Sequence, residues 1–224
     1  MDKIFVIPDI HCRSFYKPVL DIKETPIVFL GDYLDPYYWD HTNDKDGIEN
    51  LKEIFDLARN NKNVTLLCGN HDEEWIWSPM GFSRTNLRHY DELHKLYRDN
   101  VDLLHPVLKV DNTIFTHAGI SAGWLECIKE EDIVSYIEKE WKSELQYDRA
   151  VTNLWSELRS NIFWIGRSRG GDAYYGGPFW NDYWSDFHPT KKFPYNQIFG
   201  HTQAENTGIT QELSPDPSST KTIS

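Results

Sequence analysis

The chain is short of several things, and each shortage removes a class of function. Its longest apolar stretches, in KIFVIP, PIVFL and VTLLC, are strand-sized, far below the roughly 20 residues that a membrane span needs. It has three cysteines, Cys12, Cys68 and Cys127, odd in number and wrongly spaced for a disulfide framework or a zinc finger. It is also short of positive charge, with 23 Lys and Arg against 35 Asp and Glu, a net charge of -12 and a pI near 5.1. A surface of that sign repels a phosphate backbone, so extended nucleic acid is not an expected partner. A small or protein-borne phosphate stays open as a substrate where metal ions supply the positive charge locally. No basic segment leading into an apolar core opens the chain, so no secretory leader is predicted, and the sparse cysteines point to a reducing cytoplasm.

What the chain does have is a repeated grammar. KIFVIPD, PIVFLGD and VTLLCGN are each a short apolar run that ends in a polar tip. Between the second and third, Ile48, Leu51, Phe55 and Ala58 recur at helical spacing, and Asn60 to Asn63 close the segment. Strand, loop, strand, helix, strand predicts a layered α/β domain whose chemistry lies beyond the carboxyl ends of the strands. NTIFTHAGI and YNQIFGHT read as further strands with polar tips, and 128–161 reads as two charged helices outside the core. The 224 residues suffice for one domain, expected over 1–211 with helical and aromatic insertions at about 121–194. The Pro- and Ser-rich stretch 212–224 is expected to be an unstructured tail.

The strand tips carry metal-type donors: Asp9 and His11 in PDIHC, Asp32 and Asp35 in GDYLD, Asn70, His71 and Asp72 in GNHD, His117 in THAG and His201 in GHT. Mixed Asp, His and Asn donors suit borderline-hard divalent ions rather than a thiolate-selected one. One histidine after a strand carries little weight, but five such tips in one chain point to a metal site.

In that order the motifs D-x-H, G-D-x-x-D, G-N-H-D, H-A-G and G-H-T resemble the calcineurin-like metallophosphoesterase superfamily, closest to its bacterial and phage-type phosphoprotein phosphatases. The resemblance runs from Asp9 to Thr202 and implies a two-sheet β-sandwich flanked by α-helices, the four-layer fold of that superfamily. It implies two divalent cations (Mn, Fe, Zn or Ni), the first held by Asp9 and His11, with Asp32 bridging to a second held by Asn70, His117 and His201. It casts His71 as general acid, oriented by Asp35, while hydroxide generated between the cations attacks phosphorus. The expected substrate is a phosphomonoester on a protein, as phospho-Ser/Thr, or on a small metabolite. A diadenosine polyphosphate hydrolase is the alternative, and a phosphodiesterase fits less well because Gln203 stands where that branch has a second histidine.

Other departures matter too. Pro8 and Cys12 replace glycines of the first motif, and Asp72 replaces a glutamate. The second motif continues Pro36-Tyr37 where the phosphatases have Arg-Gly, so the arginine that grips substrate phosphate must be elsewhere. Arg13, Arg167 and Arg169 are the candidates. Cys12 and Cys68 read as small packing residues. GGPFWNDYW reads either as a pocket wall or as a loop packed on the core.

Overall fold

The structure is a computed structural model that describes residues 3–77, 84, 87–146, 160–187, 193–203, 209–210 and 220–223. It is a mixed α/β protein with two sheets flanked by helices, the expected fold class, and its contacts gather into two compact units, Met1–His105 and Pro106–Ser224. Among the described residues no helix is long and apolar enough to cross a membrane.

In the first unit the three expected strands form and a fourth joins them. Strands β1 (Phe5–Ile7), β2 (Ile27–Phe29), β3 (Val64–Leu67) and β4 (Leu104–His105) lie in that order, every neighbouring pair parallel. Because they are parallel, their carboxyl ends share one edge, and the loops leaving β1, β2 and β3 emerge side by side. Helix α1 (Asp44–Asn60) makes the crossover from β2 to β3. Asn43 caps it by accepting from the Asp46 amide, and its apolar stripe, Ile48, Leu51, Ile54 and Phe55, is buried. Helix α2 (Asn70–Ile76) starts directly after β3, and α3 (Tyr90–Asp99) follows. The core beneath is aromatic: Tyr16, Phe29, Tyr33, Phe55 and Tyr97 form a chain of ring contacts 5.7–6.4 Å between centroids. Cys12 and Cys68 are buried, as packing residues should be. Gly47 is required because a Cβ there would strike the Cys12 sulfur.

The second unit holds a five-stranded mixed sheet in the order β5 (Leu108–Val110), β6 (Thr113–Phe115), β7 (Asn196–Phe199), β9 (Thr220–Ile223) and β8 (Ile209–Thr210). The central pairs β6–β7 and β7–β9 are parallel, and the outer pairs are antiparallel. The β5–β6 hairpin was not apparent in the sequence, because LKV and TIF are each three residues around Asp111-Asn112, with Asp111 in the left-handed region at φ +52°. Thr220–Ile223, part of the expected tail, pairs with β7; a β-branched TKTI segment beside an open strand edge is adequate to add one. Helices α4 (Ala122–Ile128), α5 (Ile133–Leu145) and α6 (Tyr183–Asp186) complete the unit, and the second expected charged helix lies outside the described residues. Acidic α5 shows solvent its charges, with one exception: Glu144 is buried and accepts from the Ser160 amide. In the aromatic stretch, Phe179 packs in the core on Trp141 and Phe163 at 5.9 and 4.6 Å.

Phe55 links α1 to the core through a tilted contact with Tyr33 and an edge contact with Tyr97. Phe55→Ala is expected to lower stability by about 3–5 kcal/mol. Urea denaturation should show this as a lower midpoint, and an unchanged midpoint would deny Phe55 that role.

Candidate metal and catalytic centre

The loops after β1 and β2 continue to pair beyond the strands. The amides of Ile10 and His11 donate to the Asp32 carbonyl at 3.0 and 2.8 Å, and the Cys12 amide donates to the Tyr33 carbonyl at 2.9 Å. Four residues of these two loops lie in the left-handed region: His11 (φ 44°), Cys12 (φ 64°), Asp32 (φ 53°) and Asp35 (φ 61°). For non-glycine residues that costs on the order of 1–2 kcal/mol each, and such strain collects at functional sites.

Asp9, His11 and Asp32 each offer a ligand atom, and these atoms lie within 4.8 Å of one another. The His11 Nδ1 donates to the Leu34 carbonyl at 2.9 Å, which leaves Nε2 as a lone-pair donor 3.7 Å from an Asp32 oxygen. A backbone carbonyl holding the far nitrogen is the arrangement that orients a metal-ligating imidazole. Burial drives the His11 imidazole down to about 3, against the opposing pull of Asp9, so the ring is neutral and available as a ligand. Burial, together with Asp9 and Asp72, pushes the Asp32 carboxyl well above its ordinary range. Both groups are in environments that favour a cation between them, and the donor set fits a borderline-hard divalent ion.

Asp72, fully buried, holds this arrangement in register. Its carboxylate accepts from the amides of Asp32 (2.9 Å), Tyr33 (3.1 Å) and Gly69 (2.7 Å) and from the Tyr97 hydroxyl (2.6 Å). The β2 and β3 loops are thereby tied through one side chain. They pass so closely that a Cβ on Gly31 (φ +104°) would collide with the Gly69 backbone, and a Cβ on Gly69 with Asp32. Asp32 accepts in turn from the His71 amide at 2.9 Å.

Asn70 and His71 open α2, both buried. The His71 Nδ1 lies 2.7 Å from an Asp35 oxygen, a contact that fixes the orientation of the ring. His71 stands edge-on to His11, with centroids 5.3 Å apart. The general acid expected from the sequence and the Asp9–His11–Asp32 cluster are therefore neighbours. A thiol nucleophile is not part of this chemistry: burial, with help from Asp35, pushes Cys12 up to about 12.

In the second unit the two expected histidines are brought together. His117 follows β6 and His201 follows β7, a parallel pair, and the Gly200 amide donates to the His117 carbonyl at 2.8 Å. His117 Nε2 and His201 Nδ1 are 3.1 Å apart, close to the roughly 3.3 Å between two nitrogens on one tetrahedral ion with 2.0–2.1 Å bonds. His201 is in the left-handed region at φ 68°. Trp180 stands 6.1 Å from the His201 ring, so the aromatic loop both packs the core and borders a candidate ligand.

The three arginines expected at substrate are engaged in other contacts. Arg13 donates to the carbonyls of Ile10 (3.0 Å) and Asp9 (2.7 Å). Arg169 donates to Thr202 Oγ1 (2.9 Å) and lies 2.8 Å from Asp182. Arg167 stands over the Tyr174 ring at 5.6 Å. Two further polar residues, one at His71 and one next to Trp180 in the chain, had no motif in the sequence. Arg84 Nη2 is 3.1 Å from His71 Nε2, yet the surrounding GFSRTNLR matches no motif. Asn181 is fully buried, with neither amide atom hydrogen-bonded among the described residues. Only its place beside Trp180 in an aromatic stretch marked it.

Comparison with known proteins supplies the family and the fold. The calcineurin-like phosphoesterase family matches residues 2–205. A Schizosaccharomyces pombe protein named as a serine/threonine-protein phosphatase is 33% identical over 129 residues, 53% of this chain and 39% of that protein. The chain thus spans well under half the length of that relative. The structure of a cold-active protein-tyrosine phosphatase of a psychrophilic Shewanella species matches with a TM-score of 0.61 at 15% identity, covering 100% of this chain and 73% of that one. Another structure of a cold-active protein tyrosine phosphatase gives 0.61 at 16% identity, covering 100% and 71%. At such identities the likeness is one of fold.

Asp72→Asn keeps the shape but sets an amide N–H₂ against backbone N–H groups. We expect a loss of about 2–4 kcal/mol in denaturant unfolding, with weaker metal uptake as the Asp32 loop loosens. A loss below about 1 kcal/mol would remove Asp72 from the position given to it here.

Proposed function

Because the chain belongs to the calcineurin-like phosphoesterase family, we propose that it is a metal-dependent phosphatase that hydrolyses phosphomonoesters. The observation that carries the reading is the Asp35–His71 pair, at 2.7 Å, standing next to the Asp9–His11–Asp32 donor cluster. Asp9 and His11 would hold a first cation, Asn70, His117 and His201 would serve a second, and Asp32 would be shared between them. Bound divalent cations supply Lewis-acid polarisation of the phosphoryl group and a nucleophile drawn from water near neutral pH.

The chain's own residues do the rest. Asp35 holds the His71 ring through Nδ1, so Nε2 is the nitrogen that faces the leaving oxygen and delivers its proton. The strained backbone at Asp32 and Asp35 keeps both carboxylates in place before substrate arrives, which removes reorganisation from the reaction. The acidic chain disfavours long polyanions and favours isolated phosphate groups. A protein-borne phosphoserine or phosphothreonine is the substrate class that the name of the fission-yeast relative supports. Free thiols at Cys12, Cys68 and Cys127 suit a reducing compartment, the cytoplasm.

With Mn²⁺ added, p-nitrophenyl phosphate should be turned over and bis(p-nitrophenyl) phosphate should not; preference for the diester would overturn the monoesterase reading. His71→Ala should keep its metal content by elemental analysis while kcat falls about 10²–10⁴-fold. Wild-type turnover in that variant would end the general-acid assignment. Asp32→Asn should lose metal, and full occupancy in that variant would deny Asp32 its bridging place.

A further inference from the structure

We infer that Arg84 is the residue that grips the phosphoryl oxygens of the substrate, and that it leaves the His71 imidazole to do so. The inference rests on the phosphomonoesterase reading and adds to it the residue that binds the phosphate. With Nδ1–H directed at Asp35, the Nε2 of a neutral His71 is an acceptor, and the Arg84 guanidinium donates to it at 3.1 Å. That nitrogen is the one the reaction needs, so in the free protein Arg84 stands on the position a leaving oxygen would take.

The guanidinium is held for movement rather than for structure. Its Cζ lies over the Tyr37 ring, 3.7 Å from the centroid, a contact that keeps the charge in place without using its N–H groups. Nη1 is buried and has no hydrogen-bond partner among the described residues. A buried N–H left idle costs about 1–3 kcal/mol, a cost removed when a two-oxygen anion meets the guanidinium fork. Backbone φ at Arg84 is +85°, a strained setting for a side chain with a Cβ and one more mark of a functional position. Tyr37 also stands 4.9 Å from His11, so Arg84, Tyr37, His11 and His71 form one continuous group of contacts.

Arg13, by contrast, spends its donors on carbonyl oxygens, and Arg169 donates through Nη2 to Thr202 Oγ1 and is ion-paired with Asp182, although its Nε makes no hydrogen bond among the described residues. A phosphate arriving beside His71 offers Arg84 a dianion in exchange for a neutral nitrogen, and a two-pronged pair between opposite charges is stronger than a single bond from a cation to a neutral acceptor. The exchange uncovers Nε2 when substrate is present, so that it takes up a proton from solvent before passing it to the leaving oxygen, and covers it when substrate is absent.

The test measures inorganic phosphate binding to the Mn²⁺-loaded protein by calorimetry, beside steady-state kinetics on p-nitrophenyl phosphate. Arg84→Ala should weaken phosphate binding about 10- to 100-fold and raise KM in parallel, with a thermal midpoint close to wild type. Arg84→Lys should recover part of the affinity, since it restores the charge without the fork, and added guanidinium ion should partly rescue Arg84→Ala. Phosphate affinity in both variants within about twofold of wild type would overturn the inference, whatever the turnover numbers. Phosphate binding that depends on Arg84 in a wild-type protein with no phosphomonoesterase activity would instead overturn the parent reading and leave Arg84 as an anion site.

Discussion

One buried carboxylate organises the first unit. Asp72 receives three backbone amides and a tyrosine hydroxyl, and those amides belong to the loops that leave two neighbouring strands. The loops approach until neither Gly31 nor Gly69 has room for a Cβ. The pairing of glycine with a polar residue in GD and GN is thus a packing requirement before it is a chemical one. Glycine permits the close pass, Asp72 locks it, and Asp32 and Asn70 are carried to neighbouring places as a consequence. An aspartate at position 72 also explains the shortness of the clamp. A longer side chain would have to fold back to reach the same amides, or the loops would have to separate.

The strain in these loops needs a counterweight, and the aromatic core supplies it. His11, Asp32 and Asp35 each sit in a conformation that costs on the order of 1–2 kcal/mol. Directly beneath, Tyr33 is itself part of the β2 loop, donates to the Leu67 carbonyl at 2.9 Å, and packs on Phe29 and Phe55. A fully buried ring of this size contributes about 1.5–3 kcal/mol or more through burial alone. The same residue therefore extends the strained loop and anchors it in the core, which is why the donors can be rigid while their backbone is unfavourable. The second unit repeats the device on a smaller scale, with His201 at positive φ following a β7 strand whose Phe199 packs on Phe187 and Tyr183.

How far the sequence could be read follows from the kind of information each feature needs. Strands β1, β2, β3, β6 and β7 were legible because each is an apolar run with a polar tip, and α1 because four positions keep helical spacing. The candidate ligands were legible for the same reason: they occupy the tips. The two-residue strand β4 and the β5–β6 hairpin carry too few residues for any periodicity to register, and they form because neighbouring strands offer open edges. Thr220–Ile223 was hidden by its Pro- and Ser-rich surroundings. Asp72 was visible as a motif position, but that it would bind Tyr97 could not be read from spacing. Arg84 lies further out of reach, since only the fold decides which of several arginines faces His71. Arg13, nearest to the motif in sequence, is spent on the carbonyls of its own loop.

The charge distribution ties these threads together. Asp9, Asp32, Asp35 and Asp72 gather in the first unit of a chain already at -12, and burial, reinforced by Asp9, Asp72 and Asp35, pushes the Asp32 carboxyl up. A phosphate dianion entering such a place meets repulsion of several kcal/mol per near charge, at about 4 kcal/mol for unit charges 4 Å apart in a medium of effective dielectric 20. One guanidinium cannot offset that alone. Cations held by these acids would reverse the sign of the local field, and the contact proposed for Arg84 would then act on a substrate that the site attracts. On the proposed reading, metal loading and phosphate binding would be coupled by the acids themselves, since the carboxylates that repel a phosphate are the ones that could hold the ions which attract it.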